Sequence, residues 1–162
     1  MPGWRNLQNS HPLVVHFPIA LLVTAALVYW LGWLARRETW AWTGLWMLVL
    51  GALGAVVAVW TGLGAGESVM IAPKVHDNIL IYHKYCMLTA AALSVLLSLW
   101  AGLVRPMPYR GRIAFLLLMA VMAGILAKGA DYGGWMVFGY NAGGSLPQPI
   151  EFQNEPSDAG RG

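Results

Sequence analysis

Four histidines are the residues of this chain most able to do chemistry: His11, His16, His76 and His83. The first two stand in "HPLVVHFPIAL", residues 11 to 21, and the other two in "HDNILIYHKYC", residues 76 to 86. Imidazole is a ligand for iron, copper and zinc. An ionisable ring inside an apolar run usually faces the interior of a bundle and marks a function. If both segments are helical and enter a membrane in the same direction, His16 lies about 7.5 Å deeper than His11, and His83 about 10.5 Å deeper than His76. Two tiers result, His11 with His76 near the surface and His16 with His83 further in. One ring from each of two helices is what a haem held between helices needs, because the porphyrin supplies the other four nitrogens. The porphyrin is also apolar, and its propionates suit Lys84, Tyr82, Lys74 and Arg5. Without a C-x-x-C-H motif, attachment would be non-covalent, as for haem b. Three or four of the histidines could instead form a copper or zinc site. Cofactor-free rings would hydrogen-bond a neighbouring helix, and His11 and His76 taken singly read as interface residues. Lys128 and Asp131, three apart on one helix face, read as an interfacial ion pair. Alternatively, Asp131 is a carboxylate that orients a histidine.

The elements that would position these rings are apolar. Of 162 residues, 58% are hydrophobic and 10% charged, against about 25% charged in a soluble domain. Leu13–Leu34, Thr39–Gly66, Tyr85–Val104 and Ile113–Ala127 contain no formally charged residue. About 20 apolar residues cross a bilayer as a helix. The pattern predicts an all-α integral membrane four-helix bundle over residues 1–140, with spans at about 12–35, 40–63, 78–104 and 113–133. A polar tail, 141–162, follows; with Pro147, Pro149 and Pro156 it cannot build a core of its own. The first block exceeds the roughly 7–15 residues of a signal-peptide core, and Arg36 and Arg37 follow it instead of a small-residue cleavage site. A single cysteine, Cys86, excludes an internal disulfide and reads as a small packing residue.

Arginines predict orientation. Arg36 and Arg37 lie between the first two spans, and Arg105, Arg110 and Arg112 between the last two. Basic loops favour the cytoplasm, so both termini and the histidine layer face outward, toward the periplasm of a bacterial inner membrane. The net charge of +3 is then a topology signal and gives no reason to expect nucleic acid. Trp30, Trp33, Trp40, Trp42 and Trp46 flank the first turn and predict an aromatic belt at the membrane boundary. Pro12 suits the first helical position, whereas Pro18 removes a donor and is expected to kink the helix near Val14–Pro18. Gly51, Gly54, Gly62 and Gly64 in the second span permit close helix packing or close approach to a flat ligand.

The run from His11 to Leu21 resembles the signature of an uncharacterised bacterial four-helix membrane family with an HPxxVHFPIAL-type first helix. That family also shares a histidine in the third helix and a glycine–tyrosine motif after the fourth, matched here by His83 and by Phe138–Gly139–Tyr140. Some similar proteins keep company with Rieske-type or cytochrome domains, which implies redox work. The leading expectation is a cytochrome b-like electron-transfer or anchor subunit of a larger redox complex, not an enzyme alone. Its haem would sit between His16 and His83. A periplasmic cytochrome or iron–sulfur protein, and quinone, would be its partners. A structural subunit without cofactor and a copper or zinc site are the alternatives.

Overall fold

The computed structural model describes residues 11–68 and 76–140, with side chains described for 11–65 and 78–140. Four helices follow one another. These are α1, His11–Leu34; α2, Glu38–Ser68; α3, Ile81–Val104; and α4, Arg112–Gly134. A π-helical turn, His76–Leu80, leads into α3, and another, Trp135–Gly139, continues α4. The apolar stretches His11–Leu34, Glu38–Ala65, Asn78–Val104 and Arg112–Gly139 hold 24, 28, 27 and 28 residues, each enough to cross a membrane. Even the shortest spans about 36 Å as a helix, against a hydrocarbon core of about 30 Å. The expected tail at 141–162 lies outside the described residues, as do Arg5 and Lys74.

The helices run up and down in sequence. α1 packs on α2, α2 on α3 and α3 on α4, and α4 closes the bundle against α1. The first and third crossings therefore stand diagonally. The inward seam of α2 is Ala41, Gly44, Leu48, Gly51, Ala55 and Ala58, all buried and spaced three and four apart. Size, more than polarity, picks out that seam. A Cβ on Gly51 would stand 2.8 Å from Leu22 Cδ2, and one on Gly44 would stand 3.0 Å from the Tyr29 ring. Lipid tails are as apolar as leucine, so helices in a membrane associate through such close packing and not through hydrophobicity. α1 runs unbroken through Pro18, whose buried ring lies against Gly54. The outward faces carry Leu27, Leu53, Leu96, Leu99, Leu117 and Val121, all exposed. A water-soluble monomer does not leave so continuous an apolar surface bare; a bilayer covers it.

Each end of the bundle has its own character. At one end lie the α1–α2 turn and the α3–α4 loop, which carry Arg36, Arg37, Arg105 and Arg110. The buried Tyr29 hydroxyl donates to Pro106 O at 2.9 Å and ties α1 to that loop. Edge-to-face contacts join Tyr29 to Phe115 (5.0 Å) and Phe115 to Trp100 (5.7 Å). Trp40, Trp42 and Trp46 are exposed here, at the boundary level that amphipathic rings favour. At the opposite end Trp60, Tyr82, Tyr85 and Trp135 are exposed in turn, and there the histidines gather.

Candidate functional site

His11 opens α1 at this second end. It lies in helical phase with the buried Pro18, Leu22, Ala25 and Tyr29, so its ring is carried on the bundle-facing side. The ring rests on α2, where a Cβ on Gly62 would come within 2.8 Å of His11 Cε1. His11 Nδ1 and Thr61 Oγ1 are 3.2 Å apart. Thr61 gives its hydroxyl proton to Ala58 O at 3.1 Å. Its oxygen therefore accepts from His11 Nδ1–H, which makes Nε2 the lone-pair nitrogen of the neutral ring.

His83 comes from α3, in phase with the buried Ala90 and Leu97. It reaches across to α4 and donates from Nδ1 to Gly129 O at 2.7 Å. A carbonyl only accepts, so here too Nε2 carries the lone pair. Nε2 of His83 makes no hydrogen bond among the described residues. Glycine again provides the room. A Cβ on Gly133 would stand 3.1 Å from His83 Cε1, and one on Gly129 would stand 2.9 Å from Cys86 Cβ. That last approach gives Cys86 the packing role expected of it. The diagonal helices α1 and α3 thus each contribute one imidazole, each held at Nδ1 by an adjacent helix.

His16 is placed elsewhere. Its ring is exposed on the outside of α1 and donates from Nδ1 to Pro12 O of its own helix at 2.8 Å. No described contact joins it to His83. The reason is helical phase: at about 100° per residue, five positions separate His16 from His11 by about 140° around the helix. Both cannot face inward. Depth alone, by which His16 and His83 form a tier, ignores that rotation. The periodicity that would have shown it is in the sequence, since His11, Pro18 and Ala25 are spaced by sevens and His16 is not among them.

The backbone of His76 starts the π-helical turn, but its side chain lies outside the described residues. Lys84, next to His83, is half-buried and forms no ion pair among them. Lys128 and Asp131 pair with each other at 3.2 Å on the outward face of α4, and Lys128 Nζ also sits 4.7 Å from the centroid of the Tyr132 ring. Asp131 is thus placed as an interfacial partner of Lys128, while the carbonyl of Gly129 orients His83. Among the described residues no three His, Cys, Asp or Glu side chains come together as a metal-binding group.

Fold and sequence together define a four-helix membrane protein with two histidines near one end of its bundle. The chain belongs to the DUF2231 family of predicted membrane proteins, whose pattern matches residues 8–145. Comparison with curated proteins and with solved structures finds no match.

Proposed function

We propose that this protein is a cytochrome b-like membrane subunit that carries electrons within a larger redox assembly, with haem b between His11 of α1 and His83 of α3. The observation that supports this is the shared state of the two rings. Each has Nδ1 bound to a neighbouring helix, through Thr61 or Gly129 O, and Nε2 is the atom through which each would bind iron. A hydrogen bond at the far nitrogen fixes a ligating imidazole's tautomer and raises its basicity. Haem bound there supplies one-electron transfer. The chain's own residues hold the two imidazoles in orientation, exclude bulk through Gly62 and Gly133, and offer Lys84 to a propionate. By the arginine bias of the opposite end, the histidine end faces outward. An extracytoplasmic cytochrome or iron–sulfur protein would meet it there, with quinone as a lipid-side exchange partner.

A second reading has its own support. The same two hydrogen bonds join α1 to α2 and α3 to α4, which is what a structural subunit without cofactor would ask of them. A reduced-minus-oxidised absorption spectrum of the protein purified from haem-replete cells separates the two. The expected result is Soret and α bands that disappear in His11→Ala and in His83→Ala and persist in His16→Ala. Bands lost in His16→Ala but kept in His11→Ala would restore the pairing expected from depth. A wild-type protein without such bands leaves the structural role, or a copper or zinc site if elemental analysis finds the metal.

A further inference from the structure

At the end opposite the histidines, the α1–α2 turn and the α3–α4 loop flank an open hollow of about 890 Å³. Arg36, Arg37, Arg105, Arg110 and Arg112 line it, with Glu38 as the one acidic residue. Topology alone asks only that basic residues be present in these loops. It does not ask that they converge, and five like charges around one space repel one another. None of the five is ion-paired among the described residues. Arg112 Nε is buried and has no hydrogen-bond partner, although its guanidinium lies 5.2 Å from the centroid of the Tyr109 ring. A buried donor left unsatisfied costs about 1–3 kcal/mol, so its position calls for an acceptor. Arg36 and Arg105 are also the described non-glycine residues with positive φ, at 53° and 22°. That conformation is unfavourable for a side chain bearing a Cβ.

We infer that this hollow binds the phosphate of an anionic phospholipid. Arg105 Nε already donates to Gly102 O at 2.9 Å; phosphate supplies an acceptor for Arg112 Nε and the negative charge that the cluster lacks, and the guanidinium fork matches it in geometry. The placement is that of a headgroup. The hollow lies at the ends of all four spans, level with the exposed Trp40, Trp42 and Tyr109, and the exposed Leu103, Val104 and Ile113 beside it offer an apolar surface to acyl chains. Basic pockets between membrane helices take up acidic headgroups in this way.

The full chain in nanodiscs of equimolar phosphatidylglycerol and phosphatidylcholine, released and weighed by native mass spectrometry, tests the proposal. The wild type should retain phosphatidylglycerol in preference to phosphatidylcholine. Arg112→Lys keeps the charge, and hence the topology, but removes Nε–H. It should lower the preference roughly tenfold, the worth of one charge-assisted hydrogen bond. Changing all five arginines to lysine should abolish the preference, and Lys128→Gln at the other end should not alter it. Equal preference in the five-lysine chain and the wild type would overturn the proposal, because unstructured positive charge would then suffice. If a lysine variant fails to fold, the wild type still decides. Should it show no lipid preference, while inorganic phosphate alone raises its melting temperature in phosphatidylcholine, the hollow is a free-anion site and the lipid assignment is wrong.

Discussion

The two ends of this bundle solve different problems with different residues. At the arginine end, large rings fill the space: Tyr29, Phe115 and Trp100 interlock, and the Tyr29 hydroxyl reaches 77 residues along the chain to Pro106 O. At the histidine end, glycines clear it: Gly62, Gly129 and Gly133 each stand where a Cβ would strike a neighbouring side chain. The first end is held by its own aromatic packing and keeps its charges at the rim of a hollow. The second is held by two imidazoles, each bonded through Nδ1 to a neighbouring helix. Stability should therefore concentrate at the arginine end, and the proposed electron transfer at the other.

The largest effect is expected from Tyr29→Ala. It removes a fully buried ring, its edge-to-face contact with Phe115 and the hydroxyl that fixes the α3–α4 loop. Loss of a large buried side chain costs about 3–5 kcal/mol, to be read as a shift in denaturant midpoint in micelles. The same variant sharpens the contrast if Cys86 is used as a reporter, since Cys86 packs against Gly129 at the far end. Maleimide labelling of Cys86 under native conditions should be unchanged in Tyr29→Ala. Faster labelling would mean that the ends are not independent.

Gly62→Leu attacks the other side of the comparison. The added Cβ alone falls 2.8 Å from His11 Cε1, so the ring must leave its seat. Overpacking of this kind costs about 1–3 kcal/mol. The more telling result is local. If His11 is a haem ligand, the bands should be lost or shifted from this variant while Tyr29→Phe, at the far end, keeps them.

Much of this could be read from the residues, and the limit has a physical cause. The number of spans and the lengths of α1 and α3 follow from uncharged runs, because charge is what a bilayer excludes. The arginine loops and the packing glycines Gly51 and Gly54 are equally plain. Helix rotation is not. In a soluble bundle polarity marks the outward face, whereas here Leu27 faces outward and Leu22 inward with the same chemistry. Only residue size distinguishes them, through the three-and-four spacing of Ala41, Gly44, Leu48, Gly51, Ala55 and Ala58. His16 shows the consequence, since its depth suggested an inward ring and its phase turns it outward. The convergence of five arginines around one hollow was beyond reach for another reason. It depends on two loops separated by more than sixty residues meeting in space.

Thr61→Val gives a smaller effect and a finer test. The hydroxyl oxygen that accepts from His11 Nδ1–H disappears while the shape is nearly kept. A single hydrogen bond is worth about 0.5–1.5 kcal/mol, so the unfolding midpoint should move little. If Thr61 only braces two helices, that small shift is the whole result. If it sets the basicity of a ligating imidazole, the haem midpoint potential should rise as the ligand donates less, with the folded fraction unchanged.

Lys128→Gln should change least of all. The pair it forms with Asp131 is solvent-facing on both sides, with side chains 58% and 71% exposed, and exposed pairs often contribute nothing measurable. The prediction is no shift in unfolding midpoint, no change in Cys86 labelling and no change in any haem band. This null effect has a use, because Lys128 and Asp131 flank Gly129, whose carbonyl holds His83. If Lys128→Gln nevertheless alters the spectrum, the ion pair is positioning that carbonyl. The histidine end would then extend outward along α4 beyond the two imidazoles and their glycine seats.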